Sequence, residues 1–311
     1  MFAAFEFFQG LVEWHGVLSI SARIIRYTAL IMKRHATPPD YPEIRAGQSI
    51  ELLKALHILT RDGRMNQDSR RKLKQVYHFY QFIEPLLNEV IADKGVVQLA
   101  DIGAGKSYLG FILFDLFFKG RDERSHVYGI EARAELTQKS VALAQELGFK
   151  GMSFLNMAVA DALASPQLPE KLDIVTALHA CDTATDDAIR FALQKRARYI
   201  VLAPCCQAEV ATVLRKHKGA SLGDPLTEAW RHPLHTREFG SHITNVLRCL
   251  RLEASGYQVN VTELVGWEHS LKNELIVASY KDLPRARPGR RLEELLEKFG
   301  LTELRERFAA V

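Results

Sequence analysis

Apolar residues in the first hundred positions recur at helical spacing. Ile50, Leu52, Leu53, Leu56 and Leu59 fall on one stripe, and Leu73, Val76, Tyr77, Tyr80 and Ile83 on another, which is the pattern of helices that each bury one face. Both stripes need a partner surface, so residues 1–95 are expected to form an N-terminal helical module. Asp68 and Ser69 are the expected caps of the second helix, and Pro85, which has no backbone N–H, is expected to kink or restart it before Leu86. The piece before Met32 is set off by Thr37-Pro38-Pro39-Asp40-Tyr41-Pro42, a stretch that cannot propagate a helix. Residues 1–31 are therefore expected to be a loosely attached extension, or the product of a misassigned start with Met32 as the initiator.

After Gly95 the period changes. Short apolar runs at 96–102, 127–131, 153–159, 172–178 and 199–202 alternate with helical stretches at 108–119, 134–147, 184–195 and 236–255, an alternation that predicts parallel βα units. Two further runs, 258–264 and 274–280, follow each other without a long helix between them and predict an antiparallel end to the sheet. The expected class is α/β, with a Rossmann-like seven-stranded sheet over residues 96–281. Residues 282–311 are expected to be a C-terminal helical tail, amphipathic through Leu292, Leu295, Leu296 and Phe299.

Composition narrows the class without changing this picture. The chain has 311 residues, of which 47% are hydrophobic and 25% charged, which excludes a disordered, collagen-like or rod-like protein. The cysteines are Cys181, Cys205, Cys206 and Cys249, with no Cys-x-x-Cys; they make neither a disulfide framework nor a zinc ribbon, and a reducing cytoplasm is expected. A zinc site from Cys205, Cys206, His232 and His235 lacks ligand spacing, so no metal is expected. Asp115 interrupts the apolar run at 108–118, and Glu6, Glu13, Arg23 and Arg26 interrupt the first segment, so neither spans a bilayer. The N-terminus lacks the basic region of a secretory signal. The formal charge of +4 is too small to argue for a nucleic-acid partner, which responds to local cation clusters.

Candidate chemistry begins where the first strand ends, in Asp101-Ile102-Gly103-Ala104-Gly105-Lys106-Ser107-Tyr108. Glycines let a ligand approach the backbone, and the helix that follows offers free N–H groups. A P-loop would need glycine where Ala100 stands, and a dinucleotide fingerprint would need it where Tyr108 stands. Asp-x-Gly-x-Gly with an acid on the strand fits a third ligand, S-adenosylmethionine, whose ammonium and sulfonium are cationic. Glu131, at the end of the second strand, is the expected acceptor for the two ribose hydroxyls, and Asp161 with Ala162, after the third, for the adenine amino group. The alternative is that these acids cap helices or stay solvated, but their placement after consecutive strands matches the ligand-binding edge of open α/β sheets.

On these residues the chain resembles the class I S-adenosylmethionine-dependent methyltransferases over about residues 96–280. More narrowly, the Asp101 to Lys106 loop with Leu178-His179-Ala180-Cys181 and Pro204-Cys205-Cys206 resembles a branch of methyltransferase-domain proteins that includes eukaryotic relatives of a tRNA 2′-O-methyltransferase. The resemblance implies the seven-stranded methyltransferase sheet with its last strand reversed, S-adenosylmethionine as cofactor, and cofactor contacts from Asp101, Gly103, Gly105, Tyr108, Glu131, Asp161, Ala162 and His179. Relatives often continue Cys-Cys-Tyr-His or Cys-Cys-His, whereas this chain reads Cys206-Gln207-Ala208, which leaves the acceptor open.

The Asn/Asp-Pro-Pro-aromatic element of amine-methylating enzymes is replaced here by His179-Ala180-Cys181-Asp182. His179 is suited to deprotonate or orient a hydroxyl with Asp182 as its partner; the alternative is that it caps the next helix or packs beside the cofactor. Pro204-Cys205 is also the nucleophile motif of cytosine-C5 methyltransferases, so Cys205 and Cys206 are either thiolate nucleophiles or lining of the acceptor pocket. Basic clusters at Arg61, Arg64, Arg70, Arg71, Lys72 and Lys74, and at Arg215-Lys216-His217-Lys218 with Arg231-His232, are able to track a phosphate backbone or to be merely solvated. RNA, tRNA or rRNA, is the expected substrate; a protein or small-molecule acceptor, or a non-catalytic cofactor- or RNA-binding module, is the alternative.

Overall fold

The computed structural model describes residues 43–178, 180–204, 207–216, 225–263 and 274–310. Among the described residues, those from Ile50 onward form one compact unit, and 43–49 group separately. The expected extension at 1–31 lies outside the described residues.

Two helices precede the sheet, α1 (Ile50–Ala55) and the 28-residue α2 (Gln67–Lys94). The second predicted stripe is the buried face of α2, with Leu73, Val76, Tyr77, Tyr80 and Ile83 buried, whereas the first is only partly helical: Leu52 and Leu53 are buried on α1, and Leu56 and Leu59 are buried beyond its end. Asn66, rather than Asp68 or Ser69, caps α2, its Oδ1 accepting the Ser69 N–H at 2.8 Å. The helix runs through Pro85 without a restart. Proline removes the donor for the carbonyl four residues back, and Gln81, which carries that carbonyl, lies on the exposed face where water can serve it. Gly95 closes the helix in the left-handed conformation at φ 73°, the usual role of glycine at a helix C-terminus.

The sheet then builds in the expected order: β1 (Gln98–Ile102), α3 (Tyr108–Leu113), β2 (His126–Glu131), α4 (Ala134–Glu146), β3 (Met152–Asn156), α5 (Val159–Ala162), β4 (Ile174–Ala177), α6 (Thr183–Gln194), β5 (Tyr199–Leu202), α7 (Glu209–Lys216), α8 (Pro233–Ala254), β6 (Tyr257–Glu263), β7 (Glu274–Tyr280) and α9 (Ala286–Lys298). The strands lie side by side as β3-β2-β1-β4-β5-β7-β6. All neighbours are parallel except β7, which is antiparallel to both β5 and β6. This is a Rossmann-like, seven-stranded mixed sheet.

Three details depart from the expectation. The third strand ends at Asn156, and Val159 already belongs to α5. The helix after β1 ends in a π-helical turn, Phe114–Phe118, that buries Asp115 and pairs it with Lys119 at 3.0 Å. The basic stretch after β5 contains α7, which packs on α8 so closely that a Cβ on Gly240 would stand 2.8 Å from the backbone of Ala211. Val210, Val213 and Leu214 of α7 join Trp230, Leu247 and Leu250, and with Leu292 and Leu296 of α9 form a second core beside the sheet. The amphipathic tail is thereby docked.

Candidate active site

The site is assembled at the carboxyl ends of β1, β2 and β4. Asp101 stands next to last in β1, level with Gly129 of β2 and Thr176 of β4. It is only 3% exposed, and its Oδ1 accepts the Thr176 hydroxyl at 2.8 Å. Burial pushes its carboxyl up to about 7, against the smaller opposing effect of the Thr176 bond. Beyond Ile102 the chain turns through Gly103 at φ 63° and Gly105 at φ 59°, conformations open to glycine at little steric cost. Ser107 follows at φ 53° and starts α3.

Glu131 closes β2 and binds this turn rather than standing free. One carboxylate oxygen accepts the Gly105 N–H at 2.8 Å and the other accepts the Arg133 N–H at 3.0 Å. The Arg133 guanidinium adds bonds of 2.8 and 3.2 Å. Its side-chain bond is the main reason that the Glu131 carboxyl lies below the ordinary carboxylate value, with desolvation opposing. A ribose diol held by Glu131 has to displace part of this arrangement.

Asp101, Gly103, Gly105, Tyr108 and Leu178 face one cavity of about 350 Å³. Across it stand Lys72, Gln75 and Val76 of α2, with Lys106 and Arg133 at its sides. The α2 residues went unrecognised as site residues; Lys72 was visible only as one cation of a basic run. Asp161 does not join this group: it is exposed in α5 and does not line the cavity, while Ala162 beside it is buried in the core. The early end of β3 accounts for this, because the chain turns into α5 before reaching Asp161.

The two cysteine-bearing loops are held together by a buried polar network. Asp182 adopts φ 50°, ψ −125°, and its Oδ1 accepts the Ala208 N–H at 2.9 Å and the Glu209 N–H at 3.4 Å, capping α7 from across the loop. Its carbonyl accepts from Arg248 at 2.8 Å. Arg248, buried completely in α8, also pairs with Asp186 of α6 and donates to Asn245. Asn245 Oδ1 accepts from Gln207 at 3.1 Å, and Gln207 in turn accepts from Ser241 at 2.6 Å. Gln207 is thus a buried link between the loop after β5 and α8. His179, Cys205 and Cys206 lie outside the described residues. Of the other cysteines, Cys181 is exposed beside Asp182, and Cys249 sits on α8 with burial pushing its thiol up to about 12.

The two basic clusters differ. In the second, Lys216 pairs with Glu303 at 3.7 Å and Arg231 with Glu228 at 3.2 Å, and neither cation lines the cavity; His217 and Lys218 lie outside the described residues. The first cluster, from Arg61 to Lys74, is exposed and reaches the cavity through Lys72. Among the described residues, no group of three or more His, Cys, Asp or Glu is placed to hold a metal, and no helix is long and apolar enough to cross a membrane.

Residues 71–213, which span most of this site, match the family model described as a methyltransferase domain. No curated protein matches the sequence. Among solved structures, the chain is similar to magnesium protoporphyrin IX methyltransferase from Synechocystis PCC 6803, at 18% identity over 74% of this chain and 95% of that one, with a TM-score of 0.42. It is similar to Aeropyrum pernix fibrillarin at 13% identity over 58% and 66% of the two chains, with a TM-score of 0.35. An rRNA methylase from Streptococcus thermophilus shares 10% identity over 60% of this chain and 90% of that one, with a TM-score of 0.37. Likenesses at this level do not distinguish one acceptor from another.

Proposed function

We propose that the protein is an S-adenosylmethionine-dependent methyltransferase whose acceptor is RNA. The cavity residues fit the cofactor. Among the described residues, Asp101 is the one carboxylate on its wall, Gly103 and Gly105 leave the backbone bare, and Val76, Leu109 and Leu178 supply apolar surface. A Cβ on Gly103 or Gly105 would meet Ala180 at 3.6 Å or Arg133 at 3.7 Å, ordinary contact distances, so it is the positive φ of the turn and not crowding that favours glycine there. When bound, S-adenosylmethionine supplies an electrophilic methyl group on a sulfonium. Transfer is an in-line displacement, so the protein's work is chiefly positioning and exclusion of water. Asp101, ionised beside a bound ammonium, fixes the amino-acid end; Glu131 with Gly105 fixes the turn and accepts from the ribose. His179 then removes or orients the acceptor's proton, and Cys205 and Cys206 line the acceptor side.

The observation that favours RNA is Lys72. It lines the cofactor cavity and belongs to the exposed run of cations on and before the first turns of α2, so a phosphate backbone following that run arrives at the methyl-transfer site. Lys106 adds a second exposed cation to the wall.

Titration with S-adenosylmethionine followed by tritium transfer into separated RNA and protein fractions tests both halves. Label in RNA is expected; label only in protein moves the acceptor, and binding without transfer makes the chain a non-catalytic module. Glu131→Ala is expected to weaken cofactor binding by roughly 1.5 to 3 kcal/mol for each charged hydrogen bond lost. Unchanged affinity in that variant would remove Glu131 from the ribose site.

A further inference from the structure

The opposite edge of the sheet holds a second cavity, larger than the first at about 470 Å³. Lys171 precedes β4, Arg196 precedes β5, Tyr257 opens β6, and Tyr280 closes the reversed β7, so all lie at the amino ends of the parallel strands. Asp101 and its cavity lie at the carboxyl ends. We propose that this second cavity binds a nucleoside phosphate, its phosphate held by Lys171, Arg196 and Arg285 and its base stacked on Tyr280.

The charge balance points to an anion. Arg285 has a carboxylate neighbour, with Asp282 Oδ1 at 3.2 Å. The side chains of Lys171 and Arg196 make no hydrogen bond or ion pair among the described residues, and both are exposed. Three cations therefore face the cavity against one carboxylate, where a phosphate accepts charge-assisted bonds from each. Inward-facing cations without carboxylate partners repel one another, and an anion relieves that repulsion.

Arg196 is placed there at a conformational cost. It follows α6 in the left-handed region at φ 50°. Its N–H bonds to Leu193 and the Ala197 N–H bonds back to Ala192 at 2.9 Å, the closure that helices commonly make with glycine at this position. Arginine at a glycine position keeps a guanidinium at the cavity that the turn itself does not require.

The flat wall points to a base. The Tyr257 hydroxyl is pinned to the Ala197 carbonyl at 2.6 Å, and its ring meets Tyr280 edge-on at 5.3 Å. Tyr280, 42% exposed, presents the ring surface available for stacking. Gly256 between them has φ 93°, and a Cβ there would stand 3.2 Å from the Tyr280 ring and 3.3 Å from Arg285 Nε, so the bare backbone keeps ring and guanidinium in place.

Arg196→Gly tests the site without endangering the fold, since it puts at this turn the residue that its backbone favours. Titration of the full chain with adenosine 5′-monophosphate, inorganic phosphate and a 5′-phosphorylated pentaribonucleotide is expected to show saturable nucleotide binding, tighter than phosphate alone. That binding should weaken at least tenfold in Arg196→Gly, whose melting temperature should equal or exceed the parent's, and should persist in Arg231→Ala, whose side chain lines neither cavity. Tighter binding of the oligonucleotide with the same Arg196 dependence assigns the phosphate to RNA; binding of the mononucleotide alone assigns it to a free nucleotide. Equal affinity for inorganic phosphate, parental affinity in Arg196→Gly, or no saturable binding overturns the proposal.

Discussion

The guanidinium of Arg248 lies 2.7 Å from the carboxylate of Asp186 with the two side chains 0% and 3% exposed, and this pair fastens α8 to α6. The pair does more than neutralise itself: Arg248 also donates to the Asp182 carbonyl and to Asn245. A buried ion pair contributes little net stability when intact, but removing one partner leaves an uncompensated charge. Arg248→Leu is therefore expected to cost about 3 to 5 kcal/mol in urea unfolding, with Asp186→Leu similar and the double replacement less than the sum. Independent, additive losses would show that the two groups do not act together.

Asp101 makes stability fall with rising pH in a defined window. Its folded-state carboxyl is raised from 3.8 to about 7, so between those values the folded protein holds a proton that the unfolded chain has released. The stabilisation is complete below the unfolded value and is lost as pH rises through the folded one. Asp101→Asn removes that slope and is expected to stabilise the cofactor-free protein at pH 8 relative to pH 5 by roughly 2 to 4 kcal/mol compared with the parent. Affinity for a cationic ligand should move oppositely in the parent, increasing as Asp101 ionises. Parallel stability curves for parent and variant would contradict this.

Much of the fold was legible because parallel strands buried on both faces read as short apolar runs, as β1, β4 and β5 do, whereas the largely exposed β6 shows as alternation in Tyr257-Gln258-Val259-Asn260-Val261. The Asp101 to Gly105 turn was legible for a different reason, since an acid followed by alternating glycines after a strand has few structural uses. Arg248 and Asp186 were not. They stand 62 residues apart in the chain, and each, met on an amphipathic helix, reads as a solvated charge. Nor could periodicity show that α2 lines the cavity beside Asp101, because the stripe that buries Val76 says which face is covered and not by what. The end of β3 was misplaced for a related reason: Met157 and Val159 prolong the apolar run beyond Asn156, where the strand stops, so that Asp161 stands in α5.

Lys72 sets the salt dependence of RNA binding if the basic run of α2 delivers the acceptor. Each phosphate neutralised releases about one counterion, so Lys72→Ala should lower the slope of log affinity against log salt by about 1 while weakening binding across sequences alike. Arg231→Ala, whose parent residue is already paired with Glu228 at 3.2 Å, should change the slope less. Equal effects from both variants would detach the basic run from the acceptor path.

The last prediction separates the two chemistries that the His179 and Cys205-Cys206 motifs allow. A cysteine nucleophile adds its sulfur to C6 of a pyrimidine, the ring carbon C5 takes the methyl, and loss of the C5 proton releases the enzyme. With fluorine at C5 that proton is missing, so RNA carrying 5-fluoropyrimidine would remain bonded to the protein, and Cys→Ser at the responsible position would abolish both adduct and transfer. If His179 instead accepts the proton of an oxygen or ring-nitrogen acceptor, no adduct forms. His179→Ala should then lower turnover by about 10² to 10⁴ while cofactor affinity stays nearly constant, because the interaction is made in the transition state. We expect the second outcome. Asp182 caps the Ala208 N–H at 2.9 Å and so links the loops after β4 and β5; if the cysteines only line the acceptor side, Cys205→Ser and Cys206→Ser should shift acceptor KM more than kcat. An adduct that vanishes in one cysteine variant, or near-normal turnover in His179→Ala, would reverse the assignment.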